Sequence, residues 1–173
     1  MFNAPVRFDL NEWVVLLSIF ALLLLYSRLP KLYPPALLVI IWMMYSVMAI
    51  FMDQLIGTPL NLDLYDTMDT NEYDWFDIVI YNFSYPLFGY LFCHICKLIR
   101  AHNAAFLPPF IVSWSLLTAF IEWLASLAKV YTYNGWTPLF SFLFYLLLFG
   151  SLPFFLRKLE TWWEQDPYRQ KVS

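Results

Sequence analysis

The sequence predicts an all-α polytopic membrane protein: one domain, residues 1–173, folded as a bundle of five transmembrane helices. Hydrophobic residues make up 61% of the chain and charged residues 13%, about half the charged share of a typical soluble domain. The apolar residues come in long blocks, such as residues 14–26 and 36–52, which cannot all be inner faces of amphipathic elements. This composition excludes a soluble globular domain, a disordered tail and a disulfide-built secreted module.

Five apolar segments are long enough to cross a bilayer core of about 30 Å, which takes around 20 residues and tolerates ~17. Because lipid offers backbone groups no hydrogen-bond partners, each must be a helix or a closed-barrel strand, and unbroken runs favour helices. Asp9 and Asn11 are cap-type residues before the first, and prolines open the second, fourth and fifth. In the third, Pro86 leaves the carbonyl of Asn82 without a backbone donor, which predicts a kink. The predicted spans are residues 13–29, 34–52, 75–98, 106–128 and 138–155.

The distribution of Lys and Arg predicts an N-out, C-in orientation. With the N-terminus outside, the cytoplasmic side holds eight of the ten basic residues, and the exterior holds only Arg7 and Lys129. Cytoplasmic loops of membrane proteins carry such an excess, so we expect a multi-pass protein of the cell membrane. The eight are Arg28, Lys31, Lys97, Arg100, Arg157, Lys158, Arg169 and Lys171.

Residues 53–74 form a predicted acidic exterior loop. Between Lys31 and Lys97 there is no basic residue, but there are seven acids: Asp53, Asp63, Asp66, Asp69, Glu72, Asp74 and Asp77. Their spacing lacks the alternate ligands and central glycine of an EF-hand loop. We interpret the loop as solvated, with weak divalent-cation binding or partner docking as the alternative. Residues 60–65 alternate between leucine and polar residues, which fits a short strand or a segment on the membrane surface. No basic stripe is present for a nucleic-acid partner.

Aromatic residues near two other span ends are expected to anchor the chain at the bilayer interface. In the short exterior loop 129–137 they flank a turn at Asn134-Gly135; they are Tyr131, Tyr133 and Trp136. Residues 156–173 are a predicted amphipathic cytoplasmic tail, in which Trp162 and Trp163 lie at headgroup level near basic residues. A dedicated lipid-binding site there is the alternative.

Glu122 lies within the fourth span, roughly 9–12 Å from its outer end at 1.5 Å per residue. Ionisable groups at that depth are costly and usually face the interior of a bundle. Glu122 shares one helical face with four other polar residues, spaced three and four apart: Ser115, Thr118, Ser126 and Lys129. We therefore expect this face to contact other helices or water.

The third span carries a matching set of polar residues in its outer half. Asn82 lies ~10 Å below the outer end, at the depth of Glu122. The two depth estimates predict one polar layer, composed of Asp74, Asp77, Tyr81, Asn82, Tyr85, Glu122, Ser126 and Lys129. In one interpretation the layer is structural: Glu122 is protonated or pairs with Lys129, and the other groups hold the helices together. In the other it is the base of a water-filled vestibule for a cation or proton, with the acidic loop raising the local cation concentration.

The segment Cys93-His94-Ile95-Cys96 lies in the third span, near the cytoplasmic side. A CxxC pair can cycle between thiol and disulfide, but the chain lacks a second, shuttling pair and the predicted compartment is reducing. Cysteines three apart in an apolar helix are ordinary packing residues, an interpretation that we favour over redox chemistry or metal binding. His102 is expected to be an exposed loop residue. The sequence contains no common catalytic, metal or cofactor motif, so we expect neither enzymatic activity nor a cofactor.

Four segments together carry a resemblance to a known family. They are the acidic loop, Asp74–Ile78, the stretch from Trp114 to Lys129, and Tyr131–Trp136. They resemble a family of small, uncharacterised multi-span membrane proteins of spore-forming Gram-positive bacteria. The resemblance covers most of the chain and implies a bacterial cytoplasmic membrane. It implies no activity, cofactor or catalytic residue.

The expected function is non-enzymatic: a protein of the lipid bilayer that binds a membrane-protein partner or assembles with itself. The alternative is a component of a cation or proton channel or transporter. In that alternative Glu122 titrates, Asn82 and Tyr85 are neutral ligands, and Asp74 and Asp77 form the entrance. It predicts a homo-oligomer, because five helices line a pore poorly. The third hypothesis is a membrane thiol redox protein that uses Cys93 and Cys96.

Overall fold

Five long helical segments make up most of the structure, a computed structural model that describes residues 8–57, 62–68 and 74–165. Each is long and apolar enough to span a membrane, which confirms the predicted five-helix fold. The first two are α1 (Leu10–Arg28) and α2 (Pro35–Met52), and a wide turn, Asp53–Gly57, continues α2. The third segment combines α3 (Trp75–Val79), a second wide turn (Ile80–Ser84) and α4 (Tyr85–His102). A short turn, Ala104–Phe106, precedes α5 (Leu107–Leu127), and α6 is Pro138–Glu164.

The wide turn in the third segment lies directly before Pro86, where the sequence predicts a kink. The N–H of Tyr85 donates to the carbonyl of Ile80, five residues back, so one turn of the helix is wider than an α-helix. Pro86 has no N–H to donate, which is why the regular pattern of hydrogen bonds is interrupted here. The side chain of Asn82 bonds within the same helix, with Nδ2 2.9 Å from the carbonyl oxygen of Ile78.

The third segment is the centre of the bundle, since α4 contacts α1, α2, α5 and α6. One core lies where α2, α4 and α6 meet, and is built on buried side chains such as Ile41, Phe92 and Leu156. Helix α2 approaches α4 closely at Gly89, because the ring of Tyr45 occupies the place that a Cβ would take. The outward faces of the other four long helices expose large apolar side chains, as at Leu17, Met43, Leu116 and Leu147.

A two-stranded antiparallel ribbon accompanies the helices. It pairs β1 (Tyr65–Thr67) with β2 (Tyr131–Tyr133), so that Tyr65 lies opposite Tyr133. The alternating segment 60–65 thus leads into a strand, although residues 58–61 lie outside the described residues. After β2 the chain turns at Asn134-Gly135, and the N–H groups of Asn134 and Trp136 both donate to the carbonyl of Leu64, at 2.8 and 3.0 Å. The ribbon therefore joins the two loops that were predicted to lie on the exterior.

At the other end of the bundle, α6 continues past residue 155, where the predicted fifth span ends, to Glu164. Glu160 pairs with two basic residues of α4: Oε1 lies 3.0 Å from Lys97 Nζ, and Oε2 lies 2.8 Å from Arg100 Nη2. Lys97 also donates to the carbonyl of Leu32 at 3.0 Å. The start of the predicted tail is therefore a continuation of α6 fixed to α4, and residues 166–173 lie outside the described residues.

Candidate functional site

Glu122 of α5 is held by hydroxyl groups from two other elements. Its Oε1 accepts hydrogen bonds from the Tyr133 hydroxyl of β2 at 2.8 Å and from Ser141 Oγ of α6 at 2.5 Å. Its Oε2 accepts a hydrogen bond from the hydroxyl of Tyr145. Ser141 and Tyr145 are four residues apart, which places them on one face of α6. The carboxyl group therefore ties α5, α6 and the ribbon together at one point.

Ser141 links this carboxyl group to the turn after β2. Trp136 Nε1 donates to Ser141 Oγ at 2.7 Å, and the same hydroxyl donates to Glu122. Ser141 is 1% exposed, so bulk water cannot replace either partner. Three hydroxyl donors converge on Glu122, and an ionised carboxylate, which accepts hydrogen bonds only, satisfies all of them. The surroundings of Glu122 thus suit a carboxylate anion.

A cavity of about 90 Å³, here called the tyrosine cavity, lies beside Glu122 between α2, α6 and the ribbon. It has room for several water molecules. Glu122 is the one acid among its lining residues, and most of the others are aromatic. The aromatic residues are Tyr45, Tyr65, Tyr85, Tyr131, Tyr133, Trp136, Phe144 and Tyr145. The rings of Tyr65 and Tyr131 lie at 80° to each other with centroids 6.5 Å apart, so they form two adjoining walls.

The ribbon contributes neutral phenols to this cavity. Burial raises the pKa of Tyr133, and the neighbouring Glu122 carboxylate raises it further. Burial also raises the pKa of Tyr131, whose hydroxyl oxygen lies 2.9 Å from that of Tyr85. Tyr131 and Tyr133 therefore keep their protons at neutral pH and remain hydrogen-bond donors. The cavity combines one carboxyl group with uncharged aromatic walls.

Of the eight residues in the predicted polar layer, the structure brings Tyr85 and Glu122 together in the tyrosine cavity. Asn82 lies on the third segment but bonds to its own helix, and it does not line the cavity. On α5, the Ser126 hydroxyl donates to the carbonyl of Trp123 at 2.7 Å. Lys129 is exposed in the turn after α5, and within the described residues it forms no ion pair with Glu122.

The remaining members of the predicted layer have local roles at the start of the third segment. Asp74 caps α3, since its Oδ1 accepts from the N–H groups of Phe76 and Asp77 at 2.5 and 3.0 Å. Asp77 completes the capping box by accepting from the N–H of Asp74 at 2.9 Å. The Tyr81 hydroxyl donates to Thr67 Oγ1 at 3.4 Å, which connects the helix to β1. These contacts position the ribbon over the helices.

Sequence reasoning missed the partners of Glu122. Ser141 and Tyr145 are polar residues spaced four apart in an otherwise apolar stretch of α6, and this spacing was the available signal. Tyr133 and Trp136 were interpreted as interfacial aromatics, whereas they bond to Glu122 and Ser141. No local pattern relates β1 to β2, so the contribution of Tyr65 could not be predicted.

The two cysteines lie in the core and are free thiols. Cys93 and Cys96 are both 0% exposed. The Tyr33 hydroxyl donates to the carbonyl of Cys93 at 2.8 Å, and the Tyr45 hydroxyl lies 3.8 Å from its Sγ. His94 is buried beside them, but within the described residues no group of three or more His, Cys, Asp or Glu could hold a metal ion. Both thiols are therefore shielded from solvent, as expected of packing residues.

The acidic loop is partly outside the described residues, which leave out Asp69 and Glu72. Asp66 lies in β1 and accepts a hydrogen bond from Asn134 Nδ2 at 2.7 Å. Asp63 lies before β1 in a left-handed backbone conformation, with φ of 49°. Asp66 therefore contributes to the ribbon, which keeps part of the loop's negative charge next to the tyrosine cavity.

A second cavity, here called the lateral cleft, has a volume of about 410 Å³ and lies between α1, the third segment and α5. Its lining is mostly apolar, with residues such as Val14, Leu22, Phe88, Ile121 and Leu124. Four side chains line both this cleft and the tyrosine cavity: Tyr85, Glu122, Tyr131 and Tyr145. The Glu122 network is thus a wall between a small, mainly aromatic space and a larger apolar one.

Comparisons with protein-family models, with curated proteins and with solved structures gave no significant match. The ligand that the site can bind is therefore inferred from the side chains that line it. The tyrosine cavity offers one carboxyl group, several hydroxyl groups and the electron-rich faces of aromatic rings. This combination suits the binding of a positively charged ligand.

Proposed function

We propose that the protein is a multi-pass protein of the cell membrane that binds a small organic cation in the tyrosine cavity. Membrane insertion is supported by the large apolar side chains that the helices expose outward, because exposing them to water would be unfavourable. An N-out, C-in orientation is supported by the excess of Lys and Arg at one set of helix ends. In this orientation the ribbon and the tyrosine cavity face the exterior, and the Glu160 ion pairs lie at the cytoplasmic side.

The proposal is carried by one observation, a carboxyl group enclosed by aromatic rings. A cation within about 6 Å of the centroid of a Tyr or Trp ring is attracted to the ring face, by roughly 0.5–2 kcal/mol. Sites built from several such rings bind methylated ammonium groups. Glu122 adds an opposite charge at the wall of the cavity. The cavity therefore matches an ammonium ion in charge and in the chemistry of its surface.

A metal ion matches the cavity less well. Ca²⁺ takes about six to eight oxygen ligands, whereas Glu122 is the one acid in the lining and its oxygens already accept three hydrogen bonds. Met48 and Met52 add apolar surface to the wall. Such surface favours contact with methyl groups over a hydrated ion. We therefore assign the ligand class as a small alkylammonium ion.

An acid near the cavity supports the same ligand charge. Asp66 lies in β1, at the end of the bundle that carries the ribbon, next to Tyr65 of the cavity lining. Negative charge at the mouth of a binding site raises the local concentration of cations and their rate of association. A transporter would have to move the bound cation across the membrane as well as bind it. A receptor or sensor that faces the exterior would need only the binding step.

The direct test is calorimetric binding of tetramethylammonium to the purified protein in lipid nanodiscs. We expect saturable binding by the wild type and a loss of about tenfold or more in affinity for Glu122→Gln, since the charge is removed. The matched control is Glu164→Gln, which removes an exposed glutamate at the other end of the molecule. Tyr65→Leu, which removes a wall of the cavity and keeps Glu122, should also weaken binding. Unchanged affinity in the folded Glu122→Gln and Tyr65→Leu proteins would rule the proposal out.

A structural role for the Glu122 network is the second candidate function. The hydrogen bonds of Glu122 join three elements. In this role they stabilise the fold of a subunit that binds a partner protein or a second copy of itself. In this case Glu122→Gln should lower the folded yield and the oligomer fraction in gel filtration, and the wild type should not bind tetramethylammonium. The two candidates therefore predict opposite results for the wild type alone.

A further inference from the structure

We propose that the ligand of the tyrosine cavity is an amphiphile: its ammonium group enters the tyrosine cavity and its hydrocarbon chain occupies the lateral cleft. This inference rests on the proposed function and specifies its ligand. The cleft and the cavity share four wall residues, Tyr85, Glu122, Tyr131 and Tyr145. One molecule bound at this wall would therefore meet two different chemical surfaces.

The lateral cleft requires an apolar occupant. Its volume of about 410 Å³ is several times the 90 Å³ of the tyrosine cavity, and α1 and α5, which form its sides, carry exposed apolar residues facing away from the bundle. An empty space of that size inside a membrane loses the packing contacts of everything that lines it. A hydrocarbon chain supplies those contacts, and water does not.

The polar end of the cleft sets the charge of the occupant. Glu122 and the hydroxyls of Tyr85, Tyr131 and Tyr145 lie where the cleft meets the tyrosine cavity. Ser84, also in the cleft wall, has a buried Oγ with no hydrogen-bond partner in the described part of the chain. A carboxylate at this position attracts an ammonium headgroup and repels a phosphate or a carboxylate. We infer a single-chain cationic amphiphile rather than an anionic lipid.

The wall between the cleft and the tyrosine cavity is thin, because a single hydrogen bond between two side chains closes it. Tyr85 and Tyr131 close it by a hydrogen bond between two neutral hydroxyl groups, 2.9 Å apart. Rotation of one tyrosine side chain breaks this bond, and an entering headgroup can take its place beside Glu122. The headgroup then lies among the rings of the tyrosine cavity while its chain remains in the cleft.

The test measures how well alkyltrimethylammonium ions of increasing chain length displace radiolabelled tetramethylammonium from the protein in nanodiscs. In the wild type we expect potency to rise about two- to fourfold per added methylene until the cleft is full. Two variants fill the cleft from opposite sides: Ser18→Phe on α1 and Ala125→Phe on α5. Both should retain tetramethylammonium binding and lose the dependence on chain length. Leu17→Phe, on an exposed face of α1 outside the cleft lining, is the matched control and should behave like the wild type.

The outcomes separate this inference from the proposed function. Partition into the bilayer also rises with chain length, but it is the same for every variant in the same nanodisc. An identical chain-length dependence in the wild type, Ser18→Phe and Ala125→Phe would therefore overturn the inference and leave the cation site intact. Displacement by an uncharged alcohol of equal chain length would overturn the assigned headgroup. A wild type that does not bind tetramethylammonium would overturn both proposals.

Discussion

Ser141 on α6 donates a hydrogen bond to Glu122 on α5, with Oγ 2.5 Å from Oε1. The same hydroxyl accepts from the indole of Trp136 at 2.7 Å, so one small side chain connects two helices and the turn that follows the ribbon. Because Ser141 is buried and its two partners are partly buried, these bonds are not readily exchanged for bonds to solvent. The tyrosine cavity depends on this connection, since Glu122 and Trp136 both line it.

Ser141→Ala should destabilise the protein by about 1–2 kcal/mol, because it removes a donor to Glu122 and leaves the Trp136 N–H without its acceptor. The measurement is thermal unfolding in detergent. Ser151→Ala is the matched control on the same helix, since the Ser151 hydroxyl is exposed and bonds to its own helix. Equal unfolding temperatures for the two variants would contradict the assigned role of Ser141.

Gly89→Ala should destabilise the bundle by about 1–3 kcal/mol through overpacking. The new Cβ would occupy the position of the Tyr45 ring, so α2 and α4 would have to move apart. Gly150→Ala makes the same change on α6 where, apart from the neighbouring backbone of α6 itself, no atom lies within 4 Å of the new Cβ. It should be neutral or slightly stabilising, since alanine favours helix over glycine. Unfolding of both variants in parallel tests the difference.

The sequence predicts the five helices but not the residues that surround Glu122. Long apolar blocks and prolines predict the five helices because these signals are local, and Pro86 marks the position of the wide turn. Matching depths predict one layer for Asn82 and Glu122, but depth does not fix which way a helix faces. The structure turns Glu122 toward α6 and the ribbon. The pairing of β1 with β2 depends on residues far apart in the chain, such as Asp66 and Thr132.

Glu160→Gln should lower stability by about 1 kcal/mol, because it removes the charge that pairs with both Lys97 and Arg100 at partly exposed positions. The effect should shrink as salt concentration rises, since added ions screen the pairs. Unfolding at low and high salt, with Glu164→Gln as the control, checks this. A loss of stability that is the same at every salt concentration would argue for a packing effect and against an ion pair.

The proposed orientation predicts which ends of the molecule accept a membrane-impermeant maleimide. Thr132→Cys, at an exposed position of β2, should react in intact cells. Glu164→Cys, near the end of α6, should react only after the membrane is permeabilised. The native cysteines are fully buried and provide a low background. Labelling with the opposite pattern would reverse the orientation and place the tyrosine cavity inside the cell.

The most direct test of the cation site is an experimental structure determined with tetramethylammonium. We expect its nitrogen within about 6 Å of the ring centroids of the cavity tyrosines, Tyr65 and Tyr131 among them, and next to the carboxyl group of Glu122. A tyrosine cavity that holds only water at saturating ligand, or that is closed by its own side chains, would contradict the account.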